Sequence, residues 1–281
     1  MKVKFWGTRG SIPVPGKDTI IYGGNTTCIE ITLESGRRII IDAGTGIRSL
    51  GEHLANIGEE LNIVILITHI HWDHIIGFPF FTPIFNPSTK IEVDGIHTCM
   101  KGIKHIFDYR LGDGFFPIKF NDLKAEISHL DKLRHGPVAI DGAVIDTIPL
   151  QHPQGGFGYR FREGSKSLAF ITDNELTEDA WKGSRPGNFV RFCRDVDLLI
   201  HDAQYSPQEI GARKGWGHSD YSSAVDLALE SNAGKLLLFH HDPSRNDEQV
   251  ESFKVECDRL VNDKGSDLPV DAAIEETELK V

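Results

Sequence analysis

Residues 68–74 read Thr68-His69-Ile70-His71-Trp72-Asp73-His74, so three imidazoles and a carboxylate fall within six positions. They follow Asn62–Thr68, an almost unbroken apolar run of the kind expected for a strand covered on both faces. A strand end is rigid, and the loop after it can turn several side chains toward one point. Imidazole nitrogen and carboxylate oxygen are donors that suit zinc and its neighbours. A solvated polar loop also accepts His and Asp, but three histidines and an aspartate rarely meet at this spacing by that route. Further candidates are scattered along the chain. His152 sits in Pro149-Leu150-Gln151-His152-Pro153, Asp173 in Ile171-Thr172-Asp173-Asn174, and the pair His240-His241 after an apolar run. Asp202 follows His201, and His218 lies in Gly215-Trp216-Gly217-His218-Ser219-Asp220. Each of these alone has a structural explanation. Ser219 or Asp220 could simply cap the helix expected over Tyr221–Leu229, leaving His218 a bystander.

The elements that must position these groups are legible from periodicity. Strands are expected at Val3–Trp6, Cys28–Leu33, Arg38–Asp42, Asn62–Thr68, Ile91–Asp94, Ala125–Leu130, Ala143–Pro149, Phe157–Phe161, Ser167–Thr172, Leu198–His201 and Lys235–His240. Cys28–Leu33 alternates, with Cys28, Glu30 and Thr32 on one face and Ile29, Ile31 and Leu33 on the other. Helices are expected over 46–57, Thr98–Phe107, Asp220–Ser231 and Asp247–Val261. Strands come from both halves with helices interspersed, so two mixed sheets packed face to face with helices outside is the economical layering. No low-complexity linker divides the chain, which reads as one domain over residues 1–281.

Composition sets the outer bounds. With 41 acidic and 30 basic residues among 281, the net charge is −11, a field that repels nucleic-acid backbones unless a basic patch overrides it. The cysteines Cys28, Cys99, Cys193 and Cys257 form no C-x-x-C pair and read as buried thiols of a reducing compartment. Charges occupy the start, Met1-Lys2-Val3-Lys4-Phe5-Trp6-Gly7, where a signal peptide would be apolar. No uncharged apolar run reaches the length of a membrane span. The expectation is a soluble cytoplasmic protein.

The string His69-x-His71-x-Asp73-His74 resembles the hallmark of the metallo-β-lactamase superfamily, and the likeness extends beyond it. The early strand ending in Ile41-Asp42-Ala43-Gly44, the lone His152, Asp173 after a strand and His240 after a late strand all fall in that family's order. The resemblance implies an α+β fold, the αββα four-layer sandwich of the metallo-β-lactamase type. It also implies two divalent metal ions, zinc first with manganese or iron as alternatives. His69, His71 and His152 would hold one ion, Asp73, His74 and His240 the other, with Asp173 bridging and a water between the ions as nucleophile. His241 remains the rival of its neighbour His240, and Asp42 is expected to orient a ligand.

Two segments resemble the phosphodiesterase branch, typified by ribonuclease Z and the phosphodiesterases of phosphonate catabolism. They are Leu198-Leu199-Ile200-His201-Asp202-Ala203-Gln204 and the Gly217-His218-Ser219 run. In that branch an acid orients a histidine that protonates the leaving oxygen or steadies the phosphoryl oxygens, which makes Asp202 and His218 catalytic candidates together with Asp73. Gly7-Thr8-Arg9-Gly10-Ser11 and Tyr22–Thr27 resemble it too, with Asn25 either a turn residue or a donor to substrate. Phe78–Phe85 and Phe115-Phe116-Pro117 could wall the site. The chain lacks the long basic arm with which ribonuclease Z clamps transfer RNA, and Asp202 stands where that enzyme has glutamate. The expected substrate is therefore a small or cyclic nucleotide-like phosphodiester, with no dedicated nucleic-acid binding, no membrane partner and room for a homodimer. Rival readings are lactone or thioester hydrolysis at the same metals, oxidative chemistry on iron, and a non-catalytic metal-stabilised binding module.

Overall fold

The computed structural model describes residues 1–57, 60–108, 116–176 and 186–281. In chain order, strands β1 (Lys2–Gly7), β2 (Cys28–Thr32), β3 (Arg38–Ile41), β4 (Asn62–Ile67), β5 (Lys90–Gly95) and β6 (Glu126–His129) belong to a first sheet. Strands β7 (Val138–Ile140), β8 (Ala143–Pro149), β9 (Phe157–Glu163), β10 (Lys166–Ile171), β11 (Leu198–Asp202), β12 (Leu236–Phe239) and β13 (Val270–Ala272) form a second. The last strand, β14 (Glu278–Lys280), returns to the first sheet beside β1. Each sheet therefore has seven strands among the described residues. β3 to β6 run parallel, as do β10 to β13, and the remaining pairings are antiparallel.

Side-chain alternation sets the layers. Ile29 and Ile31 of β2 enter a core shared by both sheets, where Val64, Leu66, Tyr159, Phe161, Phe170 and Phe239 also meet. Cys28, on the opposite face, packs toward helices α1 (Ile47–Ala55) and α3 (Cys99–Phe107). β4 is apolar on both sides because Val64 and Leu66 fill the inter-sheet core while Ile63, Ile65 and Ile67 fill the helix-covered one. The outer face of the second sheet is covered by α4 (Pro186–Phe192), α5 (Tyr221–Glu230) and α6 (Asp247–Asp263). The order is helices, sheet, sheet, helices: the expected αββα sandwich. All four cysteines are buried free thiols. Among the described residues no helix is long and apolar enough to cross a membrane.

Short elements escaped the periodicity. Strands β7, β13 and β14 span three residues each, too few for alternation to register, and the last two carry charges at sheet edges. Helix α2 (Trp72–Ile75) is a single turn inside the His/Asp loop, where polar side chains mask any apolar period. α4 was likewise not anticipated.

The link from β13 to β14 crosses from one sheet to the other, and Glu275 pins it. Its carboxylate accepts from the backbone and side-chain nitrogens of Asn25. Burial pushes Glu275 up to about 7, against the opposing pull of the Asn25 hydrogen bonds and the Arg9 charge. A carboxyl raised in the folded state contributes its full stability below its ordinary value near 4.5 and loses it as pH climbs through about 7. Glu275→Gln should abolish this dependence. Thermal melts from pH 5 to 8 are expected to show the wild type falling relative to the variant by roughly 3–6 °C at the upper end. Parallel profiles would remove Glu275 as a titrating link.

Candidate metal centre

The carboxyl ends of the parallel strands share one rim, and the chemistry-bearing residues follow those ends. β3 delivers Asp42, β4 delivers Thr68 and His69, β10 delivers Asp173, β11 ends in Asp202 and β12 delivers His240. β8 runs in the same direction as β10 and leads to His152. Asp42, Asp173 and His240 have φ of 61°, 53° and 58°, and Ser11, which reaches the same site, has 63°. This left-handed conformation costs non-glycine residues roughly 1–2 kcal/mol each. At Asp42, Asp173 and His240 it turns side chains inward at strand ends; other described residues adopt it in turns elsewhere.

The histidines are oriented from behind. His74 Nδ1 donates to Asp42 Oδ2 at 2.7 Å. Thr68 donates its hydroxyl hydrogen to the same oxygen at 2.8 Å, so its Oγ1 is left to accept from His69 Nδ1 at 3.1 Å. His152 Nδ1 donates to the Gly217 carbonyl at 2.9 Å and His240 Nδ1 to Gln204 Oε1 at 2.9 Å. His71 is reversed: its Nε2 donates to Gln154 Oε1 at 2.7 Å. Every ring thus spends its one N–H on an outward acceptor and turns the other nitrogen's lone pair inward. Glycines permit two close approaches. A Cβ on Gly10 would lie 2.3 Å from the His240 ring, and one on Gly217, at φ 87°, 2.1 Å from His152 Nδ1.

The inward atoms fall into two adjacent groups. His69, His71 and His152 form one, and Asp73, His74, Asp173 and His240 the other, with ligand atoms of each group within 4.8 Å of one another. His71 Nδ1 and His152 Nε2 are 3.0 Å apart, two lone pairs facing each other. Asp173 lies between the groups. Its Oδ2 is 3.6 Å from His69 Nε2 and 3.9 Å from His152 Nε2; its Oδ1 is 3.3 Å from His74 Nε2 and 3.2 Å from His240 Nε2. Asp73 Oδ2 sits 3.3 Å from the Nε2 atoms of both His74 and His240 and accepts from the Ser11 amide at 2.7 Å. His69 Nε2 and His74 Nε2 are buried without a hydrogen-bond partner. Orphaned buried nitrogens among converging carboxylates fit cations, and this donor set suits two divalent ions.

Asp202 and His218 form a second arrangement beside the first. His218 Nδ1 donates to Asp202 Oδ2 at 2.8 Å, and the Ser219 amide donates to Oδ1 at 2.8 Å. Burial disfavours the imidazolium, but the hydrogen bond and charge of Asp202 prevail and lift His218 to about 9. The His218 ring stacks near His240 with centroids 5.0 Å apart. Asp220 separately caps α5, accepting from the Ser222 and Ser223 amides, so helix entry and imidazole pairing coexist.

Some neighbouring residues fall elsewhere. His241 Nε2 donates to the Ala273 carbonyl at 2.9 Å, away from the donors. His201 is buried against the Asp202 carbonyl. Asn25 is occupied by Glu275 and Thr45 and behaves as a turn residue. Phe115 lies outside the described residues. Reasoning from sequence missed Thr68, Gln204 and Gln154 as orienting groups, and also Glu175, which accepts from the Gly215 and Gly217 amides. Gln204 and Thr68 carried a signal, as polar residues closing apolar strands; Glu175 carried none.

A family model described as "Beta-lactamase superfamily domain" matches residues 37–241. The chain belongs to the metallo-β-lactamase superfamily. Ribonuclease Z of Haloarcula marismortui is 24% identical over 277 residues, covering 85% of this chain and 86% of that protein. The metallo-beta-lactamase fold protein YhfI from Bacillus subtilis superposes with a TM-score of 0.71 at 16% identity over 99% of each chain. A diphosphatase from the PhnP family gives 0.67 at 19% identity, over 100% of this chain and 97% of that one. Superfamily and donor cluster together make the chain a metal-dependent hydrolase.

Elemental analysis of protein purified without chelator is expected to find close to two transition-metal ions per chain. Asp173→Ala and His240→Ala should each lose at least one, and His241→Ala none. Wild-type protein without metal even after reconstitution would sink this reading of the centre.

Proposed function

We propose that the chain is a phosphodiesterase acting on a small or cyclic nucleotide-like phosphodiester. The observation that carries this reading is the Asp202–His218 pair beside the metal donors. Carbonyl hydrolysis requires no such pair, whereas expelling an alkoxide from phosphorus benefits from a positioned proton donor. His69, His71 and His152 would hold one ion and Asp73, His74 and His240 the other, with Asp173 shared between them. The two directions in which the Asp173 oxygens face support that division. The histidine-rich set favours zinc, and manganese and iron accept the same donors. When bound, the ions supply positive charge for phosphoryl oxygens and bring the pKa of water toward neutrality.

The chain's own groups do the rest. Asp73, fixed by the Ser11 amide, serves as both ligand and catalytic carboxylate. Asp202 keeps the His218 proton on Nδ1 and favours the charged ring, leaving Nε2 to donate to the leaving oxygen. Relatives named for ribonuclease activity support phosphodiester chemistry. The net charge of −11 and the lack of a basic run favour a small substrate over a polynucleotide.

Bis(p-nitrophenyl) phosphate should be turned over with little activity on the monoester; much faster cleavage of lactones or thioesters under the same metal conditions would overturn the assignment. His218→Ala should keep its metal and lose roughly 10²–10⁴-fold in kcat. That loss should be smaller for a nitrophenolate leaving group, which departs without a proton, than for an alkoxide. Asp202→Asn should follow the same pattern more weakly. Full activity of His218→Ala on both substrates would reduce the segment to a helix entry.

A further inference from the structure

The metal loop has a second face. Along the chain, Ile70 and Trp72 alternate with His69, His71 and Asp73, and both line a cavity of about 550 Å³ between the loop and α3. α3 packs against Ile70 through Gly102, where a Cβ would come within 2.9 Å of the isoleucine. Beyond that contact the walls become aromatic. Phe80 and Phe116 meet edge to face, with centroids 5.7 Å apart and planes at 82°. Trp72 is 64% exposed and Phe80 55%. Lys101, exposed on α3, is a cation of the lining and makes no ion pair among the described residues.

We propose that this cavity receives an aryl or heteroaryl arm of the substrate diester, stacked on Trp72 and the Phe80–Phe116 corner. The proposal rests on the phosphodiesterase reading and specifies its substrate class. Contiguous exposed aromatic surface on a folded chain marks a place that something covers. Trp72 stands between His71 and Asp73 in the chain, so the cavity adjoins the loop that carries the donors, although none of its lining residues is itself one of them. The volume falls in the range of small-molecule sites lined mainly by apolar and aromatic groups with few polar ones. A corner of edges and faces complements a planar π-system better than an acyl chain. Lys101 adds a donor for the acceptors that heteroaryl rings carry at their edges.

Two diesters with the same p-nitrophenolate leaving group isolate the effect: phenyl p-nitrophenyl phosphate and methyl p-nitrophenyl phosphate. In the metal-loaded full chain, Trp72→Ala and Phe80→Ala are expected to lower the aryl-to-methyl ratio of kcat/KM by roughly tenfold to a hundredfold. Metal content should be unchanged, and Trp72→Phe should retain most of the preference. Calorimetric titration gives a readout without turnover. Diphenyl phosphate should bind the wild type, at least tenfold more weakly to Phe80→Ala, and dimethyl phosphate should bind far less tightly than either. An unaltered ratio in both alanine variants, with equal binding of the two phosphates, overturns the proposal. So does decanoate binding more tightly than diphenyl phosphate, or a dimer that dissociates on Trp72→Ala, which would assign the face to a second copy. Diphenyl phosphate binding that depends on Phe80, without turnover of either diester, would uphold the aryl site and reject the phosphodiesterase reading instead.

Discussion

Inward-facing lone pairs govern this molecule. Imidazole nitrogens and carboxylate oxygens converge at its rim, and their mutual repulsion is relieved only by positive charge placed among them. The convergence is enforced rather than incidental. Asp42, Thr68, Gln154, Gln204 and the Gly217 carbonyl each take the outward N–H of one ring, or relay it. Asp42 shows how far the constraint reaches. Fully buried, it accepts from the Thr68 amide and hydroxyl as well as from His74, so the ends of β3 and β4 are locked together by the group that orients the His74 ring. A buried carboxylate is tolerable there because every direction it faces supplies a donor.

The same constraint explains the architecture. The first sheet contributes the His69–His74 loop, and the second contributes His152, Asp173, Asp202 and His240. Neither sheet has a complete donor set, so the centre exists only where the two are pressed together by the Ile29, Leu66, Phe170 and Phe239 core. The opening loop reaches across both. Arg9 is buried and donates to the carbonyls of Gly23, Asp242 and Arg245, which fixes Gly10 against His240 and the Ser11 amide on Asp73. A charged residue with no catalytic contact is thereby tied to the precision of the site.

Legibility from sequence followed element length and locality. The β2 alternation and the doubly buried β4 were readable because a long apolar period has few structural solutions. The His69–His74 string was readable because its donors are adjacent in the chain. His152, Asp173 and His240 are separated by long stretches, and their order along the chain suggested a role that no local pattern could supply. Gln204, Glu175 and Ser11 act through isolated hydrogen bonds between segments distant in sequence, which leave no periodic trace. The choice between His240 and His241 was likewise a question of backbone geometry. A left-handed residue at 240 turns one ring to the donors and sends the next to the Ala273 carbonyl.

Charge poses the remaining problem for an anionic substrate. At −11 the chain as a whole repels a diester, and the screening length near 8 Å at physiological salt confines useful attraction to the immediate centre. Long-range steering, which speeds association where fields are complementary, works against capture here. Affinity must then come from contacts that act only at close range. On the proposed function, bound ions would satisfy the phosphoryl group but treat every diester alike, because that group is common to all of them. Discrimination has to arise from the ester arms. On the proposed reading the apolar cavity behind Ile70 and Trp72 would supply that discrimination, since dispersion and desolvation against aromatic walls are unaffected by net charge. On that reading an acidic surface and an aromatic recess would act as one device: the first would disfavour polyanions, and the second would retain a small substrate with a ring to bury.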